Sequence, residues 1–473
     1  MYKVIKRDGS AVDFNITKIS GAIAKAFEAL DKEYNPDIID LLALKVTADY
    51  SPKVKDGRIT VEEIQDSVEA VLVQAGYADV AKCYILYRKQ REKLRNMQST
   101  MLDYKKLVDS YVKLTDWRVK ENSTVTYSVG GLILSNSGAI TANYWLSEIY
   151  DEEIANAHRN ADIHLHDLSM LTGYCAGWSL KQLIQEGLGG VPGKITSAPA
   201  KHLVSLCNQM VNFLGIMQNE WAGAQAFSSF DTYLAPFVKA DNLSYYEVKN
   251  CIQSFIYGVN TPSRWGTQAP FSNITLDWTV PKDLAELPAI VGGKEMDFTY
   301  GDCKKELDMI NRAFIETMIE GDANGRGFQY PIPTYSITRD FDWSETENNK
   351  LLFEMTAKYG TPYFSNYINS DMEPNDVRSM CCRLRLDLRE LRKKSGGFFG
   401  SGESTGSIGV VTINMPRIAY LSKTEEEFYR RLDKLMDISA RSLKTKRTVI
   451  TRLLNEGLYP YTKRYLGTFD NHF

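Results

Sequence analysis

Gly173-Tyr174-Cys175-Ala176-Gly177-Trp178 is the stretch on which the reading of this chain turns. It is short, apolar and rich in small residues. That predicts a buried strand over Tyr174–Trp178, with glycines that admit close approach by another backbone or a ligand. Outward from it, strand-like stretches at Leu132–Leu134, Phe271–Leu276, Phe328–Ile337 and Ile408–Ile413 alternate with helical patterns. The helices are expected over His202–Met217, Tyr245–Tyr257, Lys304–Glu320 and Glu425–Leu443. Alternation of this kind predicts an α/β domain with a partly parallel sheet.

The chain has 473 residues, 44% of them hydrophobic and 24% charged, which excludes disordered, collagenous and fibrous classes. At roughly 150 residues per domain, that length predicts about three domains, or one small and one large. Lys plus Arg number 56 and Asp plus Glu 59, so the net charge is -3. This balance argues against nucleic-acid binding through a broad basic face, yet leaves room for a local basic pocket. The 7 cysteines are odd in number and sparse, which points to free thiols in a reducing compartment. No apolar run reaches the roughly 18 residues of a membrane span. The N-terminus runs into a turn signal without a signal-peptide core, so the expected location is cytoplasmic, with neither membrane nor nucleic acid as partner.

Residues 1–95 read as a separate small domain, mostly helical. Val4 to Phe14 is strand, Asp8-Gly9 turn, strand. Asn15 or Thr17 can cap a helix from Lys18 to Leu30, and a second helix follows Pro36. Thr60-Val61-Glu62-Glu63 has the spacing of a capping box, and Gly76 is a helix stop. A last helix begins near Ala78, and 96–120 reads as a helical connector. Lys18 sits in a first helical turn, where a cation works against the helix dipole. With Lys6 and Arg7 it would suit an anionic ligand such as a nucleotide phosphate, although by spacing alone solvated surface charges explain all three better.

The larger part lacks several familiar motifs. Gly193-Lys194-Ile195-Thr196 has the Gly-Lys pair of a phosphate loop without its upstream glycine. Gly400 to Gly406 has the wrong glycine spacing for a dinucleotide fingerprint and reads as a loop. No Cys-x-x-Cys occurs. His164 and His166 could place two imidazoles on one face of a strand, but with no third ligand evident they read as structural, and no metal site is assigned. Among the cysteines, Cys175, Cys381 and Cys382 stand out. Taken alone they read as inert buried thiols, since ionic nucleophilic catalysis would need a His partner.

The longer strings change both readings. Val4-x-Lys6-Arg7-Asp8-Gly9, Asn15 to Ile19, Ile59 to Asp66 and Ala81 to Arg88 resemble an ATP-cone, the allosteric nucleotide-binding domain of ribonucleotide reductases and their repressors. The resemblance covers essentially all of 1–95. It implies ATP or dATP as effectors, bound by Val4, Lys6, Arg7, Asn15 and Lys18, with Gln65 and Arg88 at looser positions. Asp162 to Leu168, Tyr174 to Leu180, Asn260 to Gly266, Pro270 to Thr275, Met380-Cys381-Cys382-Arg383-Leu384 and Thr405 to Arg417 resemble, in order over 121–473, the anaerobic (class III) ribonucleoside-triphosphate reductases. That resemblance implies a ten-stranded α/β barrel with a central finger loop.

It also implies a chemistry. One cysteine of the Cys381-Cys382 pair, with Cys381 favoured, would carry a thiyl radical on the finger loop and abstract the ribose 3′ hydrogen. Cys175 would supply hydrogen at C2′ from the other side of the ring. Asn414 would hydrogen-bond the ribose hydroxyls, or else cap its own turn. Thr261, Ser263 and Arg264 would hold phosphate. Further implied are a homodimer or higher oligomer, a radical-SAM activase with an iron–sulfur cluster, and formate or a redoxin as reductant. The family stores its radical on a glycine and carries a four-cysteine zinc site in a C-terminal region. No Cys-Gly pair is present here, so the sequence as it stands is expected to make no radical of its own. A non-catalytic nucleotide-binding fragment or regulator, or another glycyl-radical enzyme, are the alternatives.

Overall fold

The computed structural model describes residues 2–6, 11–113, 127–262, 268–370, 404–467 and 469, with the side chains of 92–104 outside that set. The chain divides into two compact units, Met1–Lys105 and Lys106–Phe473.

In the first unit, β1 (Lys3–Ile5) pairs antiparallel with β2 (Ala11–Asp13) and parallel with β3 (Arg58–Thr60). Local side-chain chemistry stands at the start of three of the helices. Asn15 Oδ1 accepts from Thr17 N at 2.9 Å where the helix Thr17–Glu28 begins. Asn35 caps Pro36–Tyr50, with proline at the start of the helix, where no backbone donor is needed. Thr60 and Glu63 form the reciprocal capping box of Val61–Gln74, at 3.2 and 2.9 Å. Gly76 then takes φ +86°, a left-handed conformation that glycine adopts without penalty. Ile23, Phe27, Val46, Tyr50, Val68 and Leu72 fill the core between these helices.

The second unit holds β4 (Ile163–Leu165), β5 (Cys175–Trp178), β6 (Gln225–Phe227), β7 (Ser272–Leu276), β8 (Pro288–Val291), β9 (Lys294–Thr299), β10 (Ile332–Ile337), β11 (Tyr363–Asn366), β12 (Thr405–Ser407) and β13 (Val411–Ile413). Six of them form one sheet in the order β11-β10-β7-β6-β5-β12. β5, β6, β7, β10 and β11 are parallel, and β12 runs antiparallel to β5. Parallel neighbours need crossovers, and helices supply them: Leu203–Met217 between β5 and β6, Tyr245–Asn260 between β6 and β7, and Glu347–Tyr359 between β10 and β11. β4 and β13 form a separate antiparallel pair. No helix among the described residues is long and apolar enough to cross a membrane.

Several expectations need correction. Leu132–Leu134 is not a strand but the interior of the helix Val129–Tyr144, opened by Ser128. Its apolar trio is too short to separate a strand from a helix by periodicity. The strand expected over Phe328–Ile337 starts only at Ile332, and the one over Ile408–Ile413 only at Val411. The helix from Glu425 continues to Asn455. β6 was not anticipated, because three buried residues carry no alternation. Of the expected ten strands, the sheet described here contains six. The expected finger loop falls on 371–403, outside the described residues.

Candidate functional site

Strand register determines which residues share a face with Cys175, since paired residues point to the same side of a sheet. Ser407 lies opposite Cys175, and Thr405 opposite Gly177. Gly177 aligns with Ala226, and Ala226 with Asn273. Two residues on, Thr275 aligns with Thr334, and then Ser336 with Ser365. This face therefore carries mostly small, hydroxyl and amide side chains around one thiol, with Ile332 beside Asn273 and Tyr363 beside Thr334. The opposite face presents Trp178, Phe227, Ile274, Leu276 and Tyr335 to the helices, all within the apolar core. Along β10 the helix-facing residues are buried while Thr334 and Ser336 are half-buried. A face of this kind can receive a polar ligand of sugar size.

Cys175 is only 1% exposed. Its sulfur accepts a hydrogen bond from Ala224 N at 3.2 Å. The close approach expected of the small residues is made by the segment before β6, where Gly223 N donates to Tyr174 O at 2.6 Å. A Cβ at Gly223 would lie 2.8 Å from the Cys175 sulfur and 2.7 Å from Tyr174 O, so glycine is required there.

The histidines form a cluster rather than a ligand set. The His164 ring lies 5.4 Å from that of His158 and 4.5 Å from that of His166. His158 Nδ1 accepts from Leu165 N, and His166 Nε2 lies 2.8 Å from Thr412 Oγ1. Burial, and then the neighbouring His164, push His158 and His166 below the usual imidazole range, which favours neutral rings.

One group near the thiol carries no signal in the sequence. Lys446, on the helix Glu425–Asn455, is 4% exposed and interacts electrostatically with Asp167 and Cys175. Burial pushes its ammonium down to about 8, against the opposing pull of Asp167 and Cys175. Its stem passes Gly409, where a Cβ would stand 3.1 Å from the lysine Cδ. A lysine on a highly charged helix reads as solvated, and only the long-range packing reveals otherwise.

The other expected residues fare differently. Asn414 caps the helix Met415–Leu421: Oδ1 accepts from Arg417 N at 3.1 Å and Nδ2 donates to Ala161 O at 2.9 Å. Both ends of its amide are thus engaged within the fold, as in the alternative kept open above. Thr261 is exposed and its hydroxyl donates back to Tyr257 O at 2.9 Å. Ser263, Arg264, Cys381 and Cys382 lie outside the described residues.

In the first unit Val4 is buried in β1, while Lys6, Asn15 and Lys18 are exposed and Gln65 is half-buried. Lys18 sits in the first turn of Thr17–Glu28, as expected. Arg88 donates to Asp66 and Glu69 at 2.7 and 2.9 Å. Its guanidinium therefore ties the last helix to the one before it. Arg7 lies outside the described residues.

Residues 121–473 match the family model described as anaerobic ribonucleoside-triphosphate reductase, and residues 2–93 match the ATP cone domain. The anaerobic ribonucleoside-triphosphate reductase of Haemophilus influenzae is 25% identical over 491 aligned residues, covering 96% of this chain and 64% of that protein. The chain thus spans a little under two thirds of that relative's length. The alpha subunit of a ribonucleoside-diphosphate reductase from Chlamydia pneumoniae is 42% identical over 98 residues, which cover 20% of this chain and 9% of the subunit. The anaerobic ribonucleotide reductase of Thermotoga maritima, solved in complex with dATP and CTP, shares the fold with a TM-score of 0.57. That match is 21% identical and covers 80% of this chain and 65% of the solved one.

Proposed function

The chain belongs to the anaerobic ribonucleoside-triphosphate reductase family, and from that membership we propose that it reduces ribonucleoside triphosphates to 2′-deoxyribonucleoside triphosphates under ATP and dATP control. The support is the family match over 121–473 combined with a buried thiol on a small, polar sheet face. The matches do not favour a lone regulator or another glycyl-radical enzyme.

In this reading residues 121–473 are the catalytic part of a ten-stranded barrel whose finger loop carries Cys381 and Cys382. Residues 1–95 are the cone, with Lys6, Arg7 and Lys18 on the effector phosphates, and 96–120 connect the two. The ribose lies against the Cys175 face, with Thr261, Ser263 and Arg264 toward the phosphates. One cysteine of the 381–382 pair takes the 3′ hydrogen. The 2′ hydroxyl leaves as water, and Cys175 supplies hydrogen from the opposite side. An S–H bond suits this exchange because burial shields it from water and stray donors. Asn414 acts through the helix it caps. A glycyl radical, when present, supplies the oxidising equivalent that starts the cycle. The four-cysteine zinc site does not fit the residues present, since no Cys-x-x-Cys pair occurs, and no step runs through it. A homodimer, a radical-SAM activase, formate or a redoxin as reductant, and a cytoplasmic setting complete the proposal.

Calorimetric titration tests it. CTP is expected to bind the chain with Kd at or below about 1 mM, and Gly177→Val, which fills the sheet face, is expected to abolish that binding. Binding of dATP should survive Gly177→Val and be lost in Lys18→Glu. Failure of CTP to bind at millimolar concentration would overturn the substrate, and failure of dATP the regulation.

A further inference from the structure

We propose that Lys446 is an anion-binding residue, its ammonium receiving one oxyanion group of a ligand in the Cys175 site, either a phosphate of the nucleotide or a small free carboxylate. The inference deepens the reading of that sheet face as a nucleotide site and rests on it for the ligand's place in the reaction. No proton leaves Cys175, whose S–H the proposed reaction uses.

Two independent observations carry it. The first is burial without a partner. Lys446 is 4% exposed, yet among the described residues its ammonium makes no hydrogen bond and no ion pair. Other cations of the helix Glu425–Asn455 behave differently. Arg431 reaches Glu427 at 2.7 Å, Lys434 reaches Glu153 at 3.1 Å and Arg441 reaches Asp151 at 3.3 Å, all of them toward solvent. A buried charge is normally paired, because little else offsets its loss of water. A cation held this deep without a partner suits a counter-charge that arrives with a ligand. The second observation is position. Because Gly409 has no side chain, the lysine stem passes close to it, and a Cβ there would stand 3.1 Å from Cδ and 3.5 Å from Nζ. The segment around Gly409 is tied to the site on both sides. Ser407 is the strand partner of Cys175, and its carbonyl accepts from Tyr174 N at 3.0 Å. Val410 O accepts from His166 N at 3.2 Å. The ammonium therefore lies against the stretch that bonds to the start of β5 and to the end of β4.

The titratable groups around the ammonium come from two further elements. Asp167 and His166 follow β4, and Tyr174 and Cys175 stand at the start of β5, with the Tyr174 ring against that of His166. His166 is held toward its neutral form, first by burial and then by His164, so the positive charge that an anion meets here is the lysine's. Burial pushes that ammonium down to about 8, against the pull of Asp167 and Cys175. An oxyanion beside it favours the charged form and moves the value back up. By the same linkage, anion binding weakens as pH rises through that value and the ammonium gives up its proton.

The test is the protonation of Lys446 in the folded chain. Lysine is labelled with 13C at Cε, and the Lys446 resonance is assigned by its loss in Lys446→Arg, or in Lys446→Met should the arginine variant not fold. Its midpoint is followed from about pH 6 to 11 in sodium chloride, then at equal ionic strength with sodium formate, inorganic phosphate, CTP or cytidine. At least one of formate, phosphate and CTP is expected to raise the midpoint by about one pH unit or more, about tenfold in the constant. Cytidine, which has the sugar and base without an oxyanion, is expected to leave it in place. A rise with formate assigns the site to a free carboxylate, and a rise with phosphate or CTP alone assigns it to the nucleotide. An unmoved midpoint with all three anions, or an equal rise with cytidine and CTP, overturns the proposal. The formate and phosphate titrations need neither nucleotide nor turnover, so their failure and a failure of CTP binding are separate results.

Discussion

The two faces of the six-stranded sheet differ in kind. Toward the helices stand Trp178, Phe227, Ile274, Leu276 and Tyr335, packed in one continuous core. On the other side stand Cys175, Gly177, Ala226, Asn273, Thr275, Thr334 and Ser336. Parallel strands usually read as apolar runs because both their faces are covered. Here the two sides are unequal: the helix-facing side is largely apolar apart from Gln225 and Ser272, and the thiol side is mostly small and polar apart from Ile332 and Tyr363. The helix-facing side supplies stability, whereas the thiol side gives up apolar burial for a surface that can meet a polar ligand. Substitutions on the two sides should therefore separate loss of fold from loss of chemistry.

The largest effect should come from the helix-facing side. Trp178 is buried against Phe213 and Trp221, and its Nε1 donates to Gln225 Oε1 at 2.6 Å. Trp178→Ala should lower the stability of the second unit by about 4 kcal/mol, read by urea unfolding. Next comes Asp231, a buried carboxylate that accepts from Asp277 N, Trp278 N and Asn311 Nδ2 at 2.8–2.9 Å. Burial raises its pKa while these donors oppose the rise. Asp231→Ala leaves the donors unpaired and should lose about 3 kcal/mol in the same measurement.

The Glu316 network on the outer helices gives a smaller, pH-dependent effect. Burial would raise the Glu316 carboxyl, but hydrogen bonds from Tyr245, Arg312 and Lys249 outweigh it and hold the group at about 2. A depressed carboxylate contributes stability that is complete above its unfolded value of 4.5 and is lost as pH falls toward 2. Roughly 2 kcal/mol should disappear across that window, and the loss should be absent in Glu316→Gln.

The thiol side should behave in the opposite sense. Lys446 is a cation whose folded value, about 8, lies below the ordinary lysine value of 10.5. The unfolded chain therefore binds more protons between those values, so stability should rise with pH across them. Lys446→Met should remove that rise, read by urea unfolding across pH 8 to 10.5. The smallest effect belongs to Ser336→Ala, which should change stability by no more than about 0.5 kcal/mol. It should nevertheless weaken CTP binding measurably in calorimetry. A Ser336→Ala variant that unfolds like Trp178→Ala would erase the distinction between the faces.

What could be read from the sequence follows the range of the interactions concerned. Thr60 and Glu63, Pro36 and Gly76 act within a few residues, and each marks its helix boundary as expected. β7 and the helix Lys304–Glu320 were legible from runs of five or more residues with a clear pattern. β6 was not, since Gln225-Ala226-Phe227 becomes a strand only through pairing with β5 and β7. The site divides the same way. Cys175 taken alone reads as an inert buried thiol, and only the longer strings around it give it a role. Lys446 is buried against Gly409 by packing between distant parts of the chain, which no local pattern announces. Asn414, expected at the ribose, satisfies its local helix first, which is what an asparagine before a proline-started helix does most readily.

One tie between distant residues bears on how the chain reaches this state during synthesis. Glu220 accepts from the backbone N–H groups of Tyr461 and Thr462 at the start of the helix Pro460–Tyr465, and Trp221 Nε1 donates to Thr462 Oγ1 at 2.9 Å. These partners are 241 to 242 positions apart, and Trp221 also packs edge-on against Trp178. While a ribosome is still translating the intervening stretch, the Glu220 carboxylate and the Trp221 Nε1–H cannot yet make these bonds. Long loops are slow to close. The strand that bears Cys175 is therefore buttressed late, after residue 462 has emerged, and nascent chains shorter than that should be the ones that chaperones hold.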